Sequence, residues 1–246
     1  MKITRKRFIE TISTLVMAFA LAACGNSTSA EVISTEVAGA ASSQNTQSAS
    51  SDKTRANTSQ ENDTAQSTQA EKGNKMLVVY FSLAGEQYGV GVIEEGNTSI
   101  IAHMIAEQTG ADLFEIEATT PYPTSHSELL DVSRQEMANN ARPEIAGTVD
   151  NMDDYDTIFI GYPNWWGDMP MIVYNFLESY DLSGKTIVPF CTHGGSGLSR
   201  TESTIADITG GTMKDGFAIP GTTAQNDRDT ARSKVTQWLR KGGFVE

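Results

Sequence analysis

From Met76 onward, short apolar runs alternate with amphipathic stretches, and the alternation repeats five times. The apolar runs are "MLVVYFS" (76–82), "DLFEIEA" (112–118), "DTIFIGYP" (156–163), "KTIVPFCTH" (185–193) and the weaker "TMKDGFAI" (212–219). Each reads as a strand. Helical stretches follow them at 97–110, 125–141, 170–180, about 199–209 and 224–243. Gly110 stands where the first helix should stop, and Pro170 where the third should start. Near-continuous apolar strands are buried on both faces, which places them in a parallel sheet with helices on either side. Five βα units predict a three-layer α/β/α sandwich with a five-stranded parallel sheet in the order 2-1-3-4-5. In such sheets ligands sit beyond the carboxyl ends of the strands, where the winding reverses. For this order the loops after the first, third and fourth strands form that rim.

The chain before Met76 has a different character. Residues 1–23 combine a basic start (Lys2, Arg5, Lys6, Arg7) with an apolar run too short to span a membrane, which is the pattern of a secretory signal. It ends in "LAAC", which resembles the lipobox of bacterial lipoproteins. That resemblance implies cleavage before Cys24, acylation of its sulfur, and a membrane anchor through lipid. Residues 24–75 contain no aromatic residue, no Leu and no Pro, and are dominated by Ser, Thr, Ala, Gln and Asn. Such a segment cannot bury enough apolar surface to offset its ordering entropy and reads as a flexible tether. The expected arrangement is a domain, residues 76–246, held outside the cytoplasm.

That domain carries most of the charge. The chain has a formal net charge of −13, and from Met76 onward 24 acidic residues stand against ten basic ones. An acidic surface disfavours nucleic acid and anionic lipid, and would steer a basic partner protein toward it. After Cys24 only Cys191 remains, so the domain can form no internal disulfide. Within "IVPFCTH" Cys191 reads as a small buried hydrophobe. His103 and His126 lie on expected helices and read as surface or helix-packing residues. No metal-ligand spacing is present.

The chemistry concentrates in three loops. After the first strand come Ser82 and then, past an interruption, "GNTS" (96–99) opening a helix. A helix N-terminus offers unpaired N–H groups and the positive end of a dipole, which suits phosphate. The plain alternative is helix capping by Asn97. No Lys or Arg occurs here, so this is not a Walker loop. After the third strand comes "GYPNWWGDMP" (161–170), where adjacent indoles suit a wall against a flat ligand, or else a plug over the sheet edge. After the fourth comes "CTHGGSGLSRT" (191–201), whose glycines let backbone N–H groups reach the edge of a heterocycle. A Ser hydrolase built on His193 and Ser196 reads poorly, because Leu198 breaks the Gly-x-Ser-x-Gly elbow and no orienting acid is evident.

Together these loops resemble the flavodoxin-like family, and within it the branch with "YFS…GNT", "P-x-WWG-x-MP" and "GGSG". The resemblance covers essentially all of 76–246. It implies noncovalent FMN, with its phosphate on Ser82, Leu83, Gly96, Asn97, Thr98 and Ser99. By the same resemblance Pro163, Asn164, Trp165, Trp166 and Gly167 line one side of the flavin ring. Thr192, His193, Gly194, Gly195, Ser196 and Gly197 line the other. Asp168 beside the ring would favour a low potential, and a protonated His193 would oppose it. The implied activity is electron transfer to a redox partner protein, or FMN-dependent reduction of a small acceptor such as a quinone, with NAD(P)H as one donor class. A domain that has lost FMN and serves only in binding is the alternative.

One departure stands out from that family pattern. "LAGEQYGVGVIEE" (83–95) interrupts the phosphate turn. Its glycines are misplaced for a dinucleotide fingerprint. Carrying Tyr88 and two terminal glutamates, it is expected either to close over the flavin as a lid or to bulge outward.

Overall fold

The computed structural model describes residues 74–246. The signal sequence, Cys24 and nearly all of the tether lie outside the described residues.

In chain order the elements are β1 (Met76–Tyr80), β2 (Gly85–Gln87), β3 (Gly91–Ile93), α1 (Asn97–Thr109), β4 (Asp112–Glu115), β5 (Glu117–Ala118), α2 (His126–Ala138) and β6 (Ile145–Ala146). There follow a 3-10 turn (Met152–Asp154), β7 (Thr157–Pro163), α3 (Met171–Glu178), β8 (Thr186–His193), α4 (Thr201–Thr209), β9 (Thr212–Met213), β10 (Phe217–Pro220), α5 (Gly221–Asn226) and α6 (Arg228–Gly242). The central sheet runs β10-β8-β7-β1-β4, every pairing parallel. In order of appearance that is 2-1-3-4-5, the expected winding.

Alternation along the strands builds two cores. Leu77, Val79 and Phe81 face one side with Ile158, Ile160 and Tyr162, where Ile172 and Phe176 of α3 and Ile205 of α4 cover them. Val78 and Tyr80 face the other side with Phe159, Val188 and Phe190, under Ile101 and Ile105 of α1 and Val235 and Leu239 of α6. Both faces are closed, so side chains such as Val78, Phe159 and Val188 are fully buried. Lys185 is also buried, and its Nζ donates to the carbonyls of Met152 (2.9 Å) and Tyr155 (2.7 Å), stitching the 3-10 turn to the start of β8.

Three expected elements are subdivided. The second strand ends at Glu115, and past Ile116 the residues Glu117 and Ala118 turn away to pair as β5 with β6. The fifth strand is split: β9 pairs with the start of β8 and β10 with its end. Between them the Gly216 N–H bonds to Glu202 of α4, not to the ladder. The last helix breaks at Asp227, whose non-helical backbone ends α5 and whose carboxylate caps α6 by accepting the Thr230 N–H.

Arg142 joins the segment after α2 to the end of α3 through a two-pronged pair with Glu178, Nε to Oε2 at 2.6 Å and Nη2 to Oε1 at 2.7 Å. The guanidinium holds the Glu178 carboxyl below its ordinary range. A carboxyl lowered on folding contributes stability above its unfolded pKa, and that contribution disappears as pH falls through the folded one. Both side chains are partly exposed, which limits the effect to roughly 0.5–1 kcal/mol. Glu178→Gln is therefore expected to lower Tm by about 1–4 °C at pH 7. In thermal scans the gap to the unaltered chain should close as pH falls through the lowered folded pKa.

Candidate functional site

The chain leaves the sheet at Ser82 and returns at Gly96. Ser82 Oγ accepts the Ser99 N–H at 3.0 Å, so the end of β1 caps the first turn of α1 from outside the helix. The residue at the helix boundary is Gly96, and Asn97 makes no capping bond. Gly96 has no room for a side chain: a Cβ would lie 2.2 Å from Ser82 Oγ and 2.7 Å from the Leu83 carbonyl oxygen. Ser82 and the 96–99 turn are thus one structure, with the insertion looped out between them.

The insertion is a β-hairpin, with Glu86 opposite Val92 and Gln87 opposite Gly91. Gly89 and Gly91 take the positive φ angles that a three-residue connection demands. The hairpin is fixed at both ends. Glu86 accepts the His126 N–H at 3.1 Å and donates its own N–H to Thr124, holding the hairpin against the start of α2. At its base Glu95 pairs with Arg228 at 2.9 Å, and its carbonyl accepts from Gln225. The tip folds over the sheet edge and does not bulge outward. The Tyr88 ring lies on Gly194, where a Cβ would sit 2.8 Å from it.

The loop after β7 makes a tight turn. Trp165 and Asp168 exchange backbone hydrogen bonds, and both central residues have positive φ (Trp166 58°, Gly167 80°). This conformation is unfavourable for a bulky residue. Trp166 is held by its Nε1–H bond to Ser133 Oγ (3.0 Å) and by Arg134 stacked 4.3 Å from its ring. Trp165 turns the other way, packing edge-on against Phe81 and Tyr122. The two indoles diverge, as adjacent residues must.

Asn164 locks this turn to the loop after β8. Its Oδ1 accepts the Gly167 N–H (3.1 Å), and its Nδ2 donates to the Gly197 carbonyl (2.9 Å). In that loop the Gly195 N–H donates to His193 Nδ1 at 2.9 Å, and burial lowers the His193 pKa. The imidazole is therefore neutral with Nδ1 as acceptor, and supplies no positive charge here. No hydrogen bond joins His193 to Ser196. Asp168 does not face the cavity either: it accepts from Tyr174 (3.0 Å) and the Met169 N–H, and pairs with Arg200 (3.3 Å).

Protonating Nδ1 would remove the acceptor that Gly195 uses. Because the folded pKa of His193 lies below the unfolded one, its contribution is present above about pH 6.5 and is lost as pH falls through the folded value. The Gly195 amide is expected to lose hydrogen-exchange protection in acid. His193→Asn, which keeps an acceptor but cannot titrate, should show the same protection at pH 7 and pH 5.

These loops enclose a cavity of about 550 Å³ at the carboxyl end of the sheet. Of the residues expected from sequence, Asn97, Pro163, Asn164, Trp165, Trp166, Gly167, Thr192, His193, Gly194, Gly195 and Ser196 line it. The others lie just behind its wall. Thr98 is buried and shares a 2.8 Å hydroxyl hydrogen bond with Thr192; Ser82 and Ser99 are joined as described; Leu83 packs on the core; Gly197 accepts from Asn164 and from Cys191 Sγ. Cys191 is fully buried, with its thiol pushed up to about 12 by burial.

Seven further residues line the cavity, two of them from the insertion that was expected either to close over the flavin or to bulge outward. Gln87 and Tyr88 come from the hairpin, Gly221 from the start of α5, and His126, Leu129, Leu130 and Ser133 from α2. His126 is thus a cavity residue and not merely a surface or packing one. Spacing i, i+3, i+4, i+7 marks the α2 group as one helix face, but that pattern alone reads as a core face. Among the described residues, two buried side-chain polar atoms lack a hydrogen-bond partner, Asn97 Oδ1 and His126 Nδ1, and both belong to cavity-lining residues. No cluster of metal-ligating side chains occurs among the described residues, and no helix there is long and apolar enough to cross a membrane.

Comparison with solved structures places relatives around this architecture. A candidate flavoprotein from Bacteroides eggerthii DSM 20697 is 29% identical, with a TM-score of 0.55, covering 69% of this chain and 98% of its own. One from Bacteroides uniformis ATCC 8492 is 30% identical, with a TM-score of 0.54, covering 68% of this chain and 99% of its own. A Lactobacillus acidophilus NCFM flavoprotein in complex with FMN is 22% identical, with a TM-score of 0.48, covering 67% and 98%. Among curated proteins none matches. The flavodoxin family model matches residues 75–241, from the residue before β1 into the last turn of α6. The chain belongs to the flavodoxin family.

Proposed function

We propose that the domain binds FMN noncovalently and works as a redox protein, reducing a small acceptor such as a quinone or passing electrons to a partner protein. The observation that carries this reading is the convergence of the β1, β7 and β8 loops on one aromatic, glycine-rich cavity.

The residues fit the group. The N–H groups of Asn97 and Thr98 open α1 beside the hydroxyls of Ser82 and Ser99, and an anion there meets donors and the helix dipole without a cation. Asn97 Oδ1, buried without a partner, would accept from a polar atom of the bound group. Trp165 and Trp166 wall one side, and the glycine-rich loop after β8 lines the other. FMN, when bound, supplies one- and two-electron chemistry; the protein sets its orientation and electrostatic surroundings. Neutral His193 and the paired Asp168 leave the ring loops without net charge.

Visible absorption of the purified full chain tests the reading. A flavin spectrum, with FMN released in near-equimolar amount on denaturation, is expected; a colourless chain that fails to take up added FMN would mean a binding module without the cofactor. Steady-state turnover with NADH or NADPH and a quinone separates an enzyme from a carrier, which alone shows none.

We also propose that Cys24 carries a lipid that holds the domain outside the cytoplasm. Incorporation of labelled fatty acid, lost in Cys24→Ser, tests this.

A further inference from the structure

We propose that the α2 end of the cavity is a binding site for a flat, uncharged aromatic carbonyl compound of the quinone class, and that Tyr88 of the hairpin selects it. This rests on the redox reading, for which it names the acceptor site.

From Met76 onward 24 acidic residues face ten basic ones, yet no Asp, Glu, Lys or Arg lines the cavity. The arginines near its walls are engaged: Arg134 covers Trp166 and pairs with Asp131, and Arg200 pairs with Asp168. At the α2 end, away from the N–H groups that open α1, an anionic ligand would meet no counter-charge and would enter against the field of the domain. The pyrophosphate of a nicotinamide dinucleotide is a poor occupant of that end for the same reason. A neutral ring system meets no such penalty.

His126, Leu129, Leu130 and Ser133 form one face of α2, and seven residues of helix span about 10 Å. The Tyr88 ring stands beside the His126 ring at one end, with centroids 6.2 Å apart. Trp166 is bonded to Ser133 at the other. Two leucines between two aromatic ends make a slot for a fused-ring molecule. His126 Nδ1 is shielded from solvent and unpartnered, so a polar edge is wanted at the Tyr88 end, and ligand carbonyls supply one.

Tyr88 is 70% exposed, so it contributes little to the core, yet its ring lies on Gly194 where no Cβ fits. Burial of the domain core does not explain that placement. A second aromatic wall for a ligand does.

Binding of menadione to the oxidised full chain is measured by quenching of tryptophan fluorescence, with and without FMN. It is compared with lawsone, a naphthoquinone of similar size that is an anion at neutral pH. Menadione is expected to bind about tenfold or more tightly than lawsone. Tyr88→Ala should weaken menadione about fivefold in the FMN-loaded and the flavin-free chain alike, and Tyr88→Phe should retain binding in both. Equal affinity for the two quinones, an unaffected Tyr88→Ala variant, or displacement of menadione by added FMN would overturn the proposal. Failure to take up FMN would instead overturn the redox reading, and the Tyr88 comparison on the flavin-free chain would still decide the quinone site.

Discussion

Gly96→Ala is expected to weaken FMN binding by about 100-fold or more, which corresponds to overpacking of roughly 3 kcal/mol. The added methyl would sit 2.2 Å from Ser82 Oγ, which can rotate away. It would also sit 2.7 Å from the Leu83 carbonyl oxygen and 2.9 Å from the Leu83 nitrogen, which cannot. The backbone entering the hairpin or the backbone opening α1 must therefore move, and the N–H groups of Asn97 and Thr98 move with it. Ser82→Ala is the control. It removes the acceptor of the Ser99 N–H, costing about 1 kcal/mol of helix capping, but leaves the close approach intact. Equilibrium titration with FMN separates the two. Half-saturation of Gly96→Ala at the same FMN concentration as the unaltered chain would show that the phosphate is bound elsewhere.

The second large effect is on stability. Gly161 lies in β7 between Tyr80 of β1 and Phe190 of β8, and the Phe190 ring folds across it. A Cβ would fall 2.1 Å from Phe190 Cζ, with two further ring atoms within 2.7 Å. Phe190 is fully buried in the α1/α6 core and has no free space to retreat into. Gly161→Ala is expected to cost about 3 kcal/mol and to lower Tm by about 6–12 °C. Adding Phe190→Leu should recover part of that loss by making room. An unchanged Tm in the single variant, by calorimetry or circular dichroism, would contradict the packing described here.

The winding of the sheet was legible because each strand announces itself. A run such as "TIFIGYP" is apolar on both faces, and only a doubly covered parallel sheet accepts five of these. The three rim loops were legible for a related reason: adjacent tryptophans and repeated glycines have no use in a packed core. The hairpin was not. Glu86 and Val92 face outward and Gly85, Gly89 and Gly91 dilute the strand pattern, so what holds it is contact with Thr124, His126 and Gly194, all distant in sequence. The α2 wall was hidden differently. Its Leu129 and Leu130 carry the ordinary periodicity of a core-facing helix, and nothing in that pattern distinguishes a core from a cavity. The breaks at Lys214–Gly216 and Asp227 depend on Glu202 and on a local cap, and a propensity reading runs straight through them.

Cys191 has a use that has nothing to do with electron flow. It sits in β8, the strand flanked by β7 and β10, with no solvent exposure and a thiol that stays protonated. A thiol reagent can reach that sulfur only when the strand opens. In the chain with Cys24 replaced, the rate of alkylation at a single atom becomes a clock for the opening of the sheet, and it can be read at any denaturant concentration without attaching a probe.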